Sequence, residues 1–286
     1  MFVANTVMGP DQARRAVALS ARARFAIGAD HPRQLDQLSA AAADAGRRVE
    51  VMLEIDSGAR RGGVDPDVAA ELARYALGLA GIDVRGVYTY EGYTYGAADV
   101  AALVDLHQTA QGRMVTVAER VRAVLGRSPL VSMGSTPSLL ADVPLRTEID
   151  EIRPGTYIFL DAAQAALAGG EDRCAAHVLA TVVSVQRGRA LLDAGSKALT
   201  SDARSVGVTA TVGYGRLVDH DLVVTRLSEE HGVVEDPAAE RLEVGQKVRI
   251  LPNHICPVVN LFSTMRLVRG DEVLGDVAVA GRGLLV

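Results

Sequence analysis

The sequence has 286 residues, of which 49% are hydrophobic and 23% charged, as in a globular protein with one large domain or two of ordinary size. The formal charge of -5 and the pI near 5.7 argue against nucleic acid or an anionic membrane as the main partner. No apolar run approaches the roughly 20 residues that cross a bilayer. The first residues show no secretory signal, and two cysteines are too few for a disulfide framework. We therefore expect a cytoplasmic protein.

The first half of the chain alternates short β-branched runs with long stretches rich in alanine, leucine and arginine. This alternation is typical of βαβ units around a parallel sheet, and the strands are apolar on both faces, as buried parallel strands are. The predicted strands are 2–4, 25–27, 49–55, 84–89, 130–133 and 156–159. The predicted helices are 10–23, 32–45, 66–79 and 100–125.

The number of strands bears on the fold, because a closed parallel barrel usually has about eight strands. Six are predicted, and the sequence opens directly on an apolar strand at Phe2. Either the sheet is open, or two βα units belong in front of Met1. We favour an incomplete α/β barrel of about six strands.

The pattern changes from about Cys174, where short strands replace long helices and predict a β domain. A hairpin is predicted from 178–185 and 189–193, followed by strands at 222–227, 247–251, 265–268 and 277–279. Small residues and the glycine pair in 166–173 mark the boundary. We therefore predict a partial βα barrel over 1–172 and a C-terminal β domain over 173–286.

One motif, Gly134-Ser135-Thr136-Pro137-Ser138, lies where a predicted strand ends and a helix begins. Free amides at a helix N-terminus, a glycine and two hydroxyls suit a phosphate group. The same residues also suit an ordinary helix N-cap, so both interpretations stay open.

A second motif is His254-Ile255-Cys256. In extended backbone, residues two apart point to the same side, so the imidazole and the thiolate would project together. This ligand pair suits zinc, with water, substrate or another segment completing the shell. The alternative is a buried cysteine beside a surface histidine, without metal.

Three further polar segments follow predicted strands. Residues 54–64 and Tyr90-Glu91-Gly92-Tyr93 would lie at the carboxyl rim of the barrel, where the active sites of such barrels are found. Each could instead be an ordinary loop. Residues 228–232 could supply a metal ligand or a general acid, although a hairpin turn with solvated carboxylates is the favoured interpretation.

Together these segments resemble the D-threonine aldolase and D-serine dehydratase family of pyridoxal phosphate enzymes. That family shares the alanine-racemase type of barrel followed by a β domain. The resemblance extends in order and spacing over nearly the whole chain. The residues that carry it are Asp56 to Val64 (DSGARRGGV), Tyr90 to Gly92 (YEG), Gly134 to Pro137 (GSTP), Glu151 to Tyr157 (EIRPGTY), Asp193 to Leu199 (DAGSKAL), Ser228 to Gly232 (SEEHG) and Pro252 to Pro257 (PNHICP).

The resemblance implies roles for particular residues. The cofactor phosphate would be held by Gly134, Ser135, Thr136 and Tyr157, the cofactor ring would lie near Arg61 and Tyr90, and His254 and Cys256 would bind zinc, manganese or another divalent ion. The implied partners are a small-molecule D-amino acid and a second copy of the chain in a homodimer. The His-x-Cys pair is more similar to zinc-dependent D-serine dehydratases than to the aldolases, which tend to pair histidine with aspartate.

The implied activity is that of a lyase. The cofactor ring is an electron sink, so a bond at the substrate Cα can break, and the metal acts as a Lewis acid on the β-hydroxyl. D-serine would give pyruvate and ammonia, or a D-threonine-type substrate would give glycine and an aldehyde. An amino-acid racemase and a single-barrel cofactor carrier are alternatives, although the β domain argues against the carrier.

Two departures from the family pattern qualify this expectation. The family's Schiff-base lysine lies on the first barrel strand, upstream of Met1, and the sequence has only two lysines, Lys197 and Lys247. Both are predicted in the β domain, where neither could replace it. Tyr93 stands where a histidine is expected. The chain could therefore be a truncated, inactive homologue that still binds phosphate or metal.

Overall fold

The computed structural model describes residues 1–203 and 206–284 and divides the chain into two compact units. The first comprises Met1–Thr94 and Val100–Pro154, and the second comprises Tyr95–Asp99 and Gly155–Val286. The first unit thus ends earlier than the predicted boundary at residue 172, and a short loop of the first half belongs to the second unit.

The first unit is a parallel sheet whose six strands are paired in chain order. The strands are β1 Phe2–Val3, β2 Ala26–Ala29, β3 Val49–Glu54, β4 Ile82–Tyr88, β5 Leu130–Met133 and β6 Glu151–Ile152. The helices are α1 Pro10–Ser20, α2 Pro32–Asp44, α3 Ala69–Leu77, α4 Val100–Leu125 and α5 Thr136–Leu140. The predicted incomplete barrel of six parallel strands is confirmed.

Helix α2 begins at a capping box. At α2, His31 Nδ1 accepts the Arg33 amide at 3.1 Å, and Gln34 Oε1 accepts the His31 amide at 3.2 Å. This reciprocal pair satisfies two amides that the first turn leaves without helical partners. The apolar faces of the helices and strands form one core that includes Ile27, Leu53 and Met114.

The predicted sixth strand, 156–159, is wrong. Thr156–Ile158 forms a 3-10 turn, and β6 lies earlier, with Glu151 opposite Ser132 of β5. The apolar character of this run does not reflect burial, because Ile158 is largely exposed. The Pro154-Gly155 pair separates the true strand from the turn.

The second unit is mainly a seven-stranded sheet with the order β10-β9-β13-β7-β8-β12-β11, in which the strand pairings are antiparallel. The strands are β7 Val178–Gln186, β8 Arg189–Leu192, β9 Gly215–Leu217, β10 Leu222–Val223, β11 Arg226–Leu227, β12 Gly232–Glu235, β13 Lys247–Pro252, β14 Thr264–Arg269 and β15 Glu272–Ala278. The helices are α6 Ala162–Ala168, α7 Ser196–Leu199 and α8 Ile255–Leu261.

The predicted hairpin is present as β7 and β8, whereas the predicted strand 222–227 is two short strands. Strands β14 and β15 form a separate two-stranded sheet. Among the residues described, no helix has the length and hydropathy that crossing a membrane requires.

Candidate functional site

The loops that follow β3, β4 and β5 lie together, because parallel strands end at the same edge of their sheet. Arg61 follows β3 and Tyr90 follows β4. The guanidinium carbon of Arg61 lies 5.0 Å from the centroid of the Tyr90 ring, within the range of a cation–π contact. The structure therefore brings together the two residues predicted to lie near a cofactor ring.

The loop that carries Arg61 folds back on its own strand. Asp56 accepts the amides of Gly58 at 2.9 Å and Arg60 at 3.0 Å, which closes the first part of the loop. Val64 then bridges to Ile55. Gly63 makes this return possible, because a Cβ there would lie 2.6 Å from the backbone of Ile55 and Asp56.

The Gly134–Ser138 turn joins β5 to α5. Gly134 has φ +123°, a conformation that favours glycine, and its amide donates to the Glu91 carboxylate at 3.1 Å. Ser135 and Ser138 cap the helix reciprocally, as the alternative interpretation of this motif expected. The Thr136 hydroxyl is buried and has no hydrogen-bond partner among the residues that the structure describes.

A buried carboxylate and a buried imidazole lie in contact next to this turn. The Glu91 carboxylate is 0% exposed and the His107 side chain, on α4, is 1% exposed, with His107 Nδ1 at 3.1 Å from Glu91 Oε1. Burial alone would raise the pKa of Glu91, but the hydrogen bond and charge of His107, together with the Gly134 amide, hold that pKa below its usual value. Glu91 was predicted only as part of a loop motif, and His107 was missed, although a histidine on the buried face of an amphipathic helix is a signal for it.

A second, partly buried cluster lies at this edge, and its contacts were not predicted. Tyr88 Oη lies 2.9 Å from Glu54 Oε2 and 3.1 Å from the Ala4 carbonyl, so its proton can be donated to either oxygen. Arg153 lies over the Tyr88 ring, with 5.2 Å between the guanidinium carbon and the ring centroid, and donates to Ser132 Oγ at 2.8 Å. Burial raises the pKa of Glu54 and Tyr88 and lowers that of Arg153.

Three of the predicted site residues belong to the second unit. Tyr157 lies in the 3-10 turn and is 50% exposed. His254 has extended backbone, but Cys256 lies in the first turn of α8, so the expectation of extended backbone through both residues is wrong. Pro257 follows at the third helical position, which tolerates a residue without an amide proton.

The surroundings of His254 bear on metal binding. Its Nδ1 lies 2.7 Å from Asp202 Oδ2, and a proton donated along this bond leaves the lone pair on Nε2. Such a carboxylate partner is usual for a metal-binding histidine. Cys256 is exposed and outside any disulfide. In the described ranges, no group of three or more histidine, cysteine or acidic side chains is placed to hold a metal ion.

The two lysines and the 228–232 segment have structural contacts. Lys197 Nζ lies 2.9 Å from a Glu229 carboxylate oxygen and 2.6 Å from one of Glu230. Lys247 Nζ donates to Thr181 Oγ1 at 2.6 Å. Both lysines belong to the second unit, and the two glutamates lie in the turn between β11 and β12, as the favoured interpretation of this segment expected.

Family comparisons cover both parts of the chain. The alanine racemase N-terminal domain matches residues 3–163, and a serine dehydratase domain matches residues 175–268. D-threo-3-hydroxyaspartate dehydratase of Delftia sp. (strain HT23) is 32% identical in an alignment 289 residues long, which covers 92% of this chain and 74% of that protein. D-threonine aldolase of Arthrobacter sp. is 27% identical over 290 residues, covering 99% of this chain and 74% of that protein.

Solved structures agree with these matches. The crystal structure of D-threonine aldolase from Filomicrobium marinum has a TM-score of 0.87 and 27% identity, and the match covers 100% of this chain and 77% of that one. A D-threo-3-hydroxyaspartate dehydratase with a cysteine replaced by alanine, in a metal-free form, has a TM-score of 0.83 and 28% identity, and the match covers 95% of this chain and 76% of that one. A second structure under the same enzyme name has alanine in place of a histidine numbered two positions earlier.

Proposed function

Since this chain belongs to the family that joins an alanine racemase N-terminal domain to a serine dehydratase domain, we propose that it is a lyase for D-β-hydroxy amino acids. The observation that carries the proposal is similarity to dehydratases and aldolases over nearly the whole chain. The reaction would be dehydration of a D-serine-type substrate or retro-aldol cleavage of a D-threonine-type substrate. The family uses pyridoxal phosphate, and some members are metal-dependent.

The proposed phosphate site is the Gly134–Ser138 turn. Its support is the Thr136 hydroxyl, which is buried and unpartnered among the described residues and therefore costs free energy until an acceptor binds it. Ser135 would add a second hydroxyl. The Gly134 amide already donates to Glu91, so we assign Gly134 the role of shaping the turn, and the side chains and remaining amides the role of binding phosphate.

Arg61 and Tyr90 are proposed to bind the cofactor ring. Their support is the cation–π contact at the same sheet edge as the phosphate turn. In this arrangement Tyr90 orients the planar guanidinium. Tyr157 is retained as a proposed hydroxyl donor to the phosphate on the family resemblance alone.

His254 and Cys256 are proposed to bind a divalent metal ion, with zinc as the first choice. The ligand types suit zinc, and Asp202 holds the imidazole in the tautomer that binds metal through Nε2. Two protein ligands leave positions for water and for a substrate hydroxyl, which a bound metal would polarise. The two dehydratase structures, in which a histidine and a cysteine at the same spacing are separately replaced, lend support.

The bound cofactor supplies an electron sink for the bond that breaks at the substrate Cα. The chain's own residues bind and orient. Arg61 and Tyr90 would hold the ring, Ser135 and Thr136 would hold the phosphate, and His254 and Cys256 would hold a metal ion that can act as a Lewis acid. Neither lysine is assigned to the reaction, because both lie in the second unit with acidic or hydroxyl partners of their own.

The metal proposal is tested by measuring bound zinc in purified protein. Cys256→Ala should lower the zinc content sharply. Cys174→Ala is the matched control, because Cys174 is buried, its Sγ lies 3.6 Å from the Asp161 carbonyl, and burial raises the pKa of its thiol to about 11. Equal zinc content in the two variants would refute the metal site.

The activity is tested by supplying pyridoxal phosphate and zinc and measuring pyruvate from D-serine and D-threo-3-hydroxyaspartate, and aldehyde from D-threonine. We expect turnover of the D-enantiomers, with the L-enantiomers as controls. Turnover of an L-substrate at an equal rate, or racemisation without bond cleavage, would refute the proposed lyase.

We also propose a homodimer, as the family resemblance implies. Its support is the β14–β15 hairpin, where Leu267, Val268 and Val273 are each more than half exposed, although a two-stranded hairpin alone is marginally stable in water. Light scattering after gel filtration should give twice the chain mass, and Val268→Glu should shift it towards the monomer. A monomeric parent protein would refute the dimer.

A further inference from the structure

The Glu91 carboxylate connects three separate elements of the first unit. Glu91 itself lies in the loop after β4, and its Oε1 is 3.1 Å from His107 Nδ1 on α4. Its Oε2 accepts the amide of Gly134 at 3.1 Å, and Oε1 accepts the hydroxyl of Ser138 at 3.3 Å. The carboxylate therefore holds both ends of the Gly134–Ser138 turn.

The backbone of Glu91 reaches the same turn by a second route. Its carbonyl accepts the Thr94 hydroxyl at 2.9 Å, and the Thr94 and Ser135 hydroxyl oxygens are 3.4 Å apart. All of these groups are buried. The turn is thus fixed from behind by side chains that solvent does not reach.

A buried carboxylate is costly unless it is paired and hydrogen-bonded. Glu91 meets this requirement only while His107, Gly134 and Ser138 all stay in place, because each contributes one contact to its two oxygens. Displacing the turn would remove two of these three contacts from a buried charge. The pair therefore restricts the turn to one geometry, and the unpartnered Thr136 hydroxyl lies between the two points that Glu91 holds.

We propose that Glu91 and His107 are positioning residues that preorganise the Gly134–Ser138 turn for a phosphate group. This inference rests on the proposed function, which places the cofactor phosphate at that turn. Neither residue touches the phosphate in this proposal. They set its affinity by fixing the hydroxyls of Ser135 and Thr136 before the ligand arrives, so the binding step spends less free energy on ordering the site.

The test compares pyridoxine 5′-phosphate with pyridoxine by equilibrium dialysis. The two ligands differ only in the phosphate, and neither has an aldehyde that could react with a lysine. The dissociation constant of pyridoxine divided by that of pyridoxine 5′-phosphate measures the contribution of the phosphate to binding. Glu91→Gln removes the charge and keeps the shape, and we expect it to reduce that ratio about tenfold, since a charge-assisted hydrogen bond is lost.

Glu50→Gln is the matched control. Glu50 lies near the amino end of β3, where it pairs with Arg24, and the variant should leave the ratio unchanged. Hydrogen exchange provides a second readout. In Glu91→Gln the amides of the Gly134–Ser138 turn should exchange faster than in the parent protein, while those of β3 and β4 keep their protection. His107→Gln should show the same two changes.

The outcomes are distinct. A parent protein that does not prefer pyridoxine 5′-phosphate to pyridoxine overturns the proposed phosphate site, and this inference with it. If the parent protein prefers pyridoxine 5′-phosphate and the Glu91→Gln variant has the same ratio of dissociation constants, the positioning role of Glu91 is overturned while the phosphate site stands. Equal weakening of both ligands, or faster exchange throughout the first unit, shows a general structural role and also overturns it.

Discussion

Gly86 lies in the middle of the parallel sheet, and replacing it with alanine should break the pairing on which the site depends. It is in β4, opposite Met52 of β3 on one side and Leu130 of β5 on the other. A Cβ at this position would lie 2.0 Å from the Leu130 carbonyl oxygen and 2.8 Å from the carbonyl carbon. The obstacle is backbone, which cannot rotate away as a side chain can.

The size of the effect follows from this overlap. Ordinary contacts of carbon lie near 3.5 Å, so β5 would have to move by about 1 Å or more. Overpacking in a well-packed core typically costs 1–3 kcal/mol, and a clash with a paired strand should lie at about 3 kcal/mol or above. That is a large part of the roughly 5–15 kcal/mol that stabilises a folded domain.

The assay is urea unfolding followed by circular dichroism, since the chain has no tryptophan. Gly112→Ala is the matched control, because Gly112 lies within α4 and a Cβ there would meet only Arg146 Nη1, at 3.9 Å. Alanine is the better helix former, so Gly112→Ala should stabilise by about 0.5–1 kcal/mol. The same chemical change should therefore have opposite signs at the two sites. A Gly86→Ala variant as stable as the parent would refute the strand register.

Three other changes test other parts of the molecule. Burial raises the pKa of Glu54. The stability that its proton provides is therefore complete below the ordinary carboxyl pKa and is lost as the pH rises through the raised pKa. Glu54→Gln should flatten the curve of unfolding free energy against pH in that range, and an unchanged slope would contradict this. Neither lysine is assigned to the reaction, so borohydride reduction after incubation with pyridoxal phosphate should leave Lys197 and Lys247 without a stoichiometric pyridoxyl group. Peptide mapping that finds such a group on either lysine would disprove this assignment. Asp161→Ala should destabilise the fold by about 2 kcal/mol, because the buried Asp161 carboxylate accepts the Ile255 amide at 3.0 Å. Asp161→Asn keeps an acceptor oxygen and should cost less. Equal denaturation midpoints for Asp161→Ala and the parent protein would refute the hydrogen bond.

The sequence predicted the parallel sheet well because its strands are buried on both faces and therefore read as continuous apolar runs. The long helix was predicted with the bounds that the structure has, Val100–Leu125. The same reasoning failed at 156–159, where apolar side chains are exposed in a turn. It also missed β6, because Glu151–Ile152 is a two-residue strand without an apolar run. Hydrophobicity indicates burial on average, but it does not predict the burial of every short segment.

The site was predictable in part. Arg61 and Tyr90 could be placed together because topology alone brings the carboxyl ends of adjacent parallel strands to one edge. The contact of His107 with Glu91 could not be foreseen, because it depends on how α4 packs against the sheet. Sequence periodicity places His107 on the buried face of that helix and says nothing of the side chain that it meets. Buried polar partners are set by tertiary packing, which local patterns do not encode.

The His254-x-Cys256 motif shows how a proposed pair of metal ligands can rest on a backbone geometry that the structure does not have. The expectation used extended backbone, whereas His254 precedes α8 and Cys256 belongs to it. Pro257 was the available signal, because proline is tolerated in the first turn of a helix and disfavoured further in. The Ile255 amide that starts this helix is held by Asp161, a residue far away in sequence. A tertiary hydrogen bond therefore holds the backbone between His254 and Cys256. The zinc measurement on Cys256→Ala tests the motif without assuming that this backbone is extended.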